Sequence, residues 1–124
     1  MNILEGLNDK QYEAVINTEG PNLIIAGAGS GKTKVLTTRI ASLIESGVSS
    51  NNILAITFTN KAANEMRTRV ENLIGKVYAF IGTFHSFGLR VIRENYELLG
   101  LTNTFTIIDT EDQNSAKEDK NFLK

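Results

Sequence analysis

The stretch Ala26-Gly27-Ala28-Gly29-Ser30-Gly31-Lys32-Thr33 constrains this chain more than any other. It follows an apolar run, Leu23-Ile24-Ile25, and precedes a segment with helical apolar spacing, so it reads as a phosphate-binding loop between a buried strand and a helix. Glycines let successive backbone N–H groups converge on a phosphate chain without Cβ obstruction, and the helix N-terminus adds unsatisfied donors and a favourable dipole. Lys32 would reach the β- and γ-phosphates as a point charge, and the Thr33 hydroxyl would ligate Mg2+. The strict form of the pattern begins with Gly where this chain has Ala26; the relaxed form, with Ala or Gly there, is met. A flexible Gly/Ser loop before an ordinary helix has no need of Gly-Lys-Thr, so a nucleoside triphosphate site is expected.

With 124 residues the chain is long enough for one small domain with one core. A hydrophobic content of 41% and a charged content of 22% fit a soluble globular chain, and no apolar run approaches membrane-spanning length. The first residues, Met1-Asn2-Ile3-Leu4-Glu5, have neither a basic region nor an apolar one that would direct secretion. With no cysteine, disulfides and zinc-thiolate sites are excluded, and a cytoplasmic location is the default expectation. The net charge of −1 gives no argument for nucleic-acid binding, but its distribution does. Residues 32–93 carry nine Lys/Arg against three Glu, and the flanking segments are both acidic. A basic middle block suits a phosphate-handling surface, although most single cations in it are expected to be solvated helix faces.

In chain order, Asn8 can cap a first helix with Gln11 returning a bond to the cap, and Tyr12, Val15 and Ile16 would form its inner face. Gln11 has a second possible use, since its amide can read the edge of a purine; spacing alone favours the cap. Thr18 to Asn22 is a turn. Val35, Leu36, Ile40, Leu43 and Ile44 mark a second helix ending near Ser46-Gly47. A loop at Ser49 to Asn52 leads to a second strand, Ile53 to Ile56, and a helix carrying Ala62, Ala63, Met66, Val70, Leu73 and Ile74 up to Gly75. A third strand, Val77 to Ile81, precedes a helix with Leu89, Ile92, Tyr96 and Leu99, stopped by Gly100. Phe105 to Ile108 would be a fourth strand, with Asp109 as a helix N-cap at its end. This alternation predicts an α/β fold with a parallel sheet covered by helices on both faces, and ligands at the carboxyl ends of its strands.

Two more strand-to-helix junctions carry chemistry. Thr57-Phe58-Thr59-Asn60 offers hydroxyls, an amide and an aromatic ring, suited to a phosphodiester backbone and to base stacking. Phe58 as core and Thr59 as cap is the equal alternative. Thr83-Phe84-His85-Ser86 is a similar junction and contains the single histidine, which as a lone residue reads first as packed or capping, and at least one of Phe84 and Phe87 should be buried. Ile107-Ile108-Asp109-Thr110-Glu111 imitates a strand delivering acids to Mg2+, yet its acids are Asp-Thr-Glu rather than Asp-Glu, and Asp109 is better explained as a cap. The chain therefore looks able to bind a nucleotide without the acids to hydrolyse it.

Leu7-Asn8 through Gln11, AGAGSGKT at Ala26 to Thr33, AITFTNKAANEM at Ala55 to Met66 and GTFHSF at Gly82 to Phe87 together resemble, in order and spacing, the opening of the UvrD/PcrA/Rep-like superfamily 1 DNA helicases. The resemblance runs from about Leu7 to Gln113. It implies a P-loop NTPase (RecA-like) motor domain, present in part, that uses ATP and Mg2+ and moves 3′ to 5′ along single-stranded DNA and into duplex junctions. Under it Gln11 is the adenine-reading glutamine, which raises that reading above the cap alone, and Ala26 to Thr33 hold the triphosphate, with Thr33 on the metal. It also assigns Thr57, Phe58, Thr59 and Asn60, and Thr83, Phe84, His85 and Ser86, to contact with single-stranded DNA. Where the family usually has Arg after the P-loop Thr, packed near the base, this chain has Lys34, which cannot stack in that way and leaves adenine contact looser.

Residues 1–110 are thus expected to be the N-terminal part of the ATP-binding domain, and 111–124 the start of a helical insertion or a frayed tail. The family's acidic hydrolysis block, arginine fingers and second motor domain are expected beyond Lys124, which predicts little or no ATP turnover by this chain alone. A stand-alone nucleotide- or DNA-binding module and a small P-loop phosphotransferase are the alternatives, and neither explains the two DNA-type loops.

Overall fold

Asn8 starts the first helix as its side chain requires: Asn8 Oδ1 accepts the Gln11 N–H at 2.9 Å, and Gln11 Oε1 accepts the Asn8 N–H at 3.0 Å. This reciprocal box opens α1, Asp9–Ile16. In the computed structural model, which describes residues 2–27, 29, 31–102 and 104, five further elements come after it. They are α2 (Lys32–Glu45), β1 (Leu54–Thr57), α3 (Asn60–Ile74), β2 (Phe80–Thr83) and α4 (Phe84–Glu94), with a short 3-10 turn at Ser50–Asn52 in place of the expected loop. Among the described residues no helix is long and apolar enough to cross a membrane.

The two strands are parallel and in register, Leu54 opposite Phe80 and Thr57 opposite Thr83. α3 packs on both strands, α2 on α3, and α1 on α2. The core lies between α2, α3 and the sheet, where Ile40, Met66, Val70 and Ile81 are buried together. α3 realises the expected periodicity: Ala63, Met66 and Val70 recur at three- and four-residue steps and bury one stripe. Thr59 caps it by accepting the Ala62 N–H at 3.1 Å, and Gly75 ends it.

Several expectations need correction. Leu23-Ile24-Ile25 is not a strand; Leu23 and Ile25 are 87% and 88% exposed. β1 pairs with β2, and among the described residues no strand lies beside 23–25 to complete a ladder, so propensity has no partner to act on. Among the described residues the sheet accordingly has two strands, and Leu54 on β1 stays exposed. The strand expected over Val77 to Ile81 begins only at Phe80. Arg67 of α3 donates to the carbonyls of Val77 and Ala79, each at 3.0 Å, so those groups are satisfied by a side chain instead of a neighbouring strand. On α1 only Val15 is buried; Tyr12 and Ile16 are exposed. The expected fourth strand, Phe105 to Ile108, and residues 111–124 lie outside the described residues.

The described residues divide into two compact units between Gly88 and Leu89, within α4. In the second, α4 ends at Glu94, short of the expected stop at Gly100. The Asn95 amide turns back onto the Val91 carbonyl at 2.8 Å, and Leu101 N–H closes on Tyr96 O at 3.0 Å, so residues 95–100 form turns.

Candidate functional site

α2 begins where the glycine-rich loop ends, and the loop's geometry depends on residues without a Cβ. Gly29 and Gly31 have φ of +76° and +83°, the left-handed region in which other residues are strained. Gly31 is the N-cap of α2, and no side chain caps it. Val35 is the first residue to bond back, to Gly31 O at 3.1 Å, so the N–H groups of Lys32, Thr33 and Lys34 have no intrahelical acceptor. Both Lys32 and Thr33 lie in this first turn, and Thr33 is exposed. Unspent donors, a positive helix end, an ammonium and a hydroxyl at one point form an anion site of the kind that phosphates occupy. Ala28 and Ser30 lie outside the described residues.

Beside this turn opens a cleft of about 470 Å³. Gln11, Ala26, Gly27 and Lys32 give its polar rim and backbone, while Ile24, Val35 and Leu36 give apolar wall. The volume and the mixture of lining suit a small ligand with one flat apolar part and one charged part. Gln11 approaches the loop closely: a Cβ on Gly31 would stand 2.5 Å from Gln11 Nε2. The structure therefore brings Gln11 together with Ala26, Gly27, Gly31 and Lys32, while the same side chain serves the cap of α1, the use that spacing favoured. Lys34 is placed elsewhere. Its ammonium donates to the Gly6 carbonyl at 2.9 Å, and it lines a second cleft, with Thr37, Thr38 and Arg69, rather than the first.

An Mg2+–nucleotide fits this donor set. Mg2+ is commonly held by one or two protein oxygens together with phosphate oxygens and water, and Thr33 supplies one hydroxyl at the phosphate-binding turn. Among the described residues no carboxylate lines the cleft and no group of three His, Cys, Asp or Glu is arranged to hold a metal.

The two remaining loops meet because of the sheet register. Thr57 and Thr83 are opposite one another at the carboxyl ends of β1 and β2, so the next residues along, Phe58 and Phe84, emerge side by side. Their ring centroids are 5.8 Å apart at 44°, and the two residues are 90% and 61% exposed. Of the two readings open for Phe58, core is thus excluded. Phe87 is instead the partly buried ring, edge-on to Phe80 at 5.7 Å. Thr57 Oγ1 donates to Thr59 O at 3.0 Å, tightening the loop beneath Phe58. Thr83 is buried, accepts the Ser86 N–H at 3.0 Å and shares a hydroxyl bond of 2.8 Å with Ser86, which fixes the start of α4. Asn60 and His85 are exposed at the first turns of α3 and α4. Helix N-termini, hydroxyls and two exposed rings on one ridge match the groups that bind a single nucleic-acid strand.

Sequence reasoning passed over Arg39. It lies seven residues after Lys32 on α2, hence on the same helix face, and its Nη1 donates to Ala14 O at 2.6 Å and to Asn17 O at 2.7 Å. The spacing was visible in sequence; its target, the end of another helix, was not.

Comparison with known proteins places these features in context. The family model described as the UvrD/REP helicase N-terminal domain matches residues 7–122. The chain is 54% identical over 120 residues to the ATP-dependent DNA helicase PcrA of Staphylococcus epidermidis, covering 94% of this chain and 16% of that protein. It is 51% identical over 126 residues to DNA helicase II of Rickettsia typhi, covering 99% of this chain and 19% of the relative. The chain thus spans less than a fifth of the length of these curated relatives.

Proposed function

The chain belongs to the UvrD/REP helicase N-terminal family, and from that premise we propose that it is the first portion of the first RecA-like motor domain of a 3′–5′ DNA helicase. In this reading residues 1–110 bind ATP and single-stranded DNA, and residues 111–124 begin a helical insertion. A nucleotide cleft is common to many P-loop proteins and does not distinguish them. The observation that carries the DNA reading is the pair of exposed rings, Phe58 and Phe84, set side by side by the β1–β2 register.

Roles follow from position. The first-turn N–H groups of α2 and the Lys32 ammonium hold the β- and γ-phosphates and offset their charge. Thr33 would hold Mg2+, which would offset the negative charge of the triphosphate. Gln11 reads the adenine edge while Ile24, Val35 and Leu36 exclude water from the base. Lys34, tied to Gly6, leaves the base without a stacking cation. Thr57, Thr59, Asn60, His85 and Ser86 hold the strand's backbone, and Phe58 and Phe84 its bases. In the whole polypeptide, ATP binding between this domain and a second one further along would close a cleft and advance the strand, and junctions with duplex would be opened. Its working location is cytoplasmic, on DNA undergoing repair or replication.

Alone, this chain holds nucleotide without turning it over, because in-line attack needs a group to orient the water, and the residues lining the described cleft include two lysines, Lys10 and Lys32, but no carboxylate. Steady-state ATP hydrolysis, with and without single-stranded DNA and beside Lys32→Ala, tests this. The expected result is no turnover above that of Lys32→Ala, with or without DNA. DNA-stimulated turnover lost in Lys32→Ala would overturn the inactive-fragment reading, and ATP consumption dependent on a small acceptor and indifferent to DNA would point to a phosphotransferase.

A further inference from the structure

The helix that carries Gln11 is two turns long, and its far end is held by a side chain from α2. At eight residues α1 is well below the ~12–15 residues at which an isolated helix becomes even marginally stable in water. Its capping box joins Asn8 to Gln11 within the same helix, so that device orders α1 without fixing it to anything else. The last turn of α1 has no basic residue of its own. Arg39 supplies that charge from α2, donating to Ala14 O and Asn17 O, where a cation is favoured by the helix dipole and where carbonyls lack intrahelical donors.

One face of α2 therefore carries three functions in sequence: Lys32 at the phosphate turn, Val35 and Leu36 along the cleft wall, and Arg39 two turns down against the end of α1. Val15 is fully buried, so α1 is also pinned through its apolar side. A buried valine sets how close α1 sits, yet it leaves the helix able to slide and swivel about that contact. Two charge-assisted bonds to its C-terminal carbonyls remove that freedom. Ala14 is three residues from Gln11, about 4.5 Å along the axis, so the placement of one end decides where the Gln11 amide stands against Gly31.

We infer that Arg39 is a positioning residue for base selection: by tying the C-terminus of α1 to α2 it holds the Gln11 amide at the edge of the cleft, and it thereby sets the preference for adenine without touching the nucleotide. The inference rests on the reading of Gln11 as the adenine-reading side chain. It predicts that loss of Arg39 weakens the base contribution to binding and spares the phosphate contribution, which Lys32 and the α2 N-terminus supply independently of α1.

The test is displacement of a fluorescent ATP analogue from the 124-residue chain by ATP, GTP and inorganic triphosphate in Mg2+ buffer. Arg39→Met keeps the stem and removes charge and donors, Arg39→Lys keeps the charge, and Gln11→Ala removes the reader itself; circular dichroism reports folding for each. Expected are a roughly tenfold loss of ATP affinity in Arg39→Met and Gln11→Ala with inorganic triphosphate changed less than about twofold, and an ATP:GTP preference falling toward unity. Arg39→Lys should fall between wild type and Arg39→Met. An unchanged ATP:GTP ratio in Arg39→Met beside a lowered one in Gln11→Ala overturns the positioning role alone. Equal loss of ATP and inorganic triphosphate in Arg39→Met, or loss of its helical signal, assigns Arg39 to folding and also overturns it. An unchanged ratio in Gln11→Ala overturns the adenine-reading assignment, and the role of Arg39 with it.

Discussion

Replacing Gly31 by alanine separates two effects that coincide at one residue. The first is backbone strain: φ is +83°, and an L-residue held in the left-handed region costs about 1–2 kcal/mol. The second is contact, because the new Cβ would lie 2.5 Å from Gln11 Nε2, closer than side chains tolerate. The Gln11 amide is the far end of a flexible side chain, so it can retreat. Retreat breaks its 3.0 Å bond from the Asn8 N–H, a loss of about 0.5–1.5 kcal/mol. Gly31→Ala should therefore cost about 1.5–3.5 kcal/mol by the sum of these two effects. In a Gln11→Ala background the contact is gone and only the strain remains, about 1–2 kcal/mol. The double-mutant cycle thus predicts a coupling of about 0.5–1.5 kcal/mol between residues 20 positions apart in sequence. Urea denaturation of the four proteins, compared by midpoint at constant slope, measures it. Additivity within about 0.3 kcal/mol would refute the close approach of Gln11 to the loop, and a total cost below about 0.5 kcal/mol would refute the strain.

Three further outcomes are expected. Phe58→Ala should weaken oligo-dT binding by about 1–3 kcal/mol, roughly 5- to 150-fold in anisotropy titrations, while shifting stability by less than about 0.5 kcal/mol because the residue is 90% exposed; the reverse pattern would make Phe58 structural. Val70→Ala, at a fully buried position of the α3 stripe, should lower unfolding free energy by about 1.5–3 kcal/mol in urea and leave the ratio of ATP to triphosphate affinity unchanged. Arg67→Met removes two donors from the carbonyls of Val77 and Ala79; with Arg67 partly exposed, about 1–2 kcal/mol is expected, together with faster amide exchange along β2, and unchanged exchange would show that those carbonyls are satisfied by water.

What was legible in the sequence was local. Asn8 and Gln11 stand three apart, and that spacing alone specified the capping box. The α3 stripe and its Thr59 and Gly75 boundaries came from period and capping chemistry. The turn ahead of α2 was legible because its left-handed positions, Gly29 and Gly31, favour glycine. Non-local partners were not legible. Leu23 to Ile25 has the composition of a buried strand, but a strand exists only where another chain segment offers its ladder, and composition does not report that. The start of β2 depended on Arg67, ten residues before Val77 and on another element. Phe58 and Phe87 are the same residue type, and what separates them is tertiary: Phe87 meets Phe80 of β2 edge-on, while Phe58 stands beside the exposed Phe84.

The spacing of those two exposed rings sets a limit on what can occupy them. A flat base slipped between two parallel rings needs about 6.8 Å, twice the ~3.4 Å thickness of a stacked layer. Phe58 and Phe84 stand 5.8 Å apart and tilted by 44°, so the gap between them is a wedge too narrow to intercalate a base. A nucleotide that lands there must rest on an outer face, propped from one side and open on the other. Such a seat grips a base without enclosing it, and a strand held by open seats can be released one nucleotide at a time without first being unclasped.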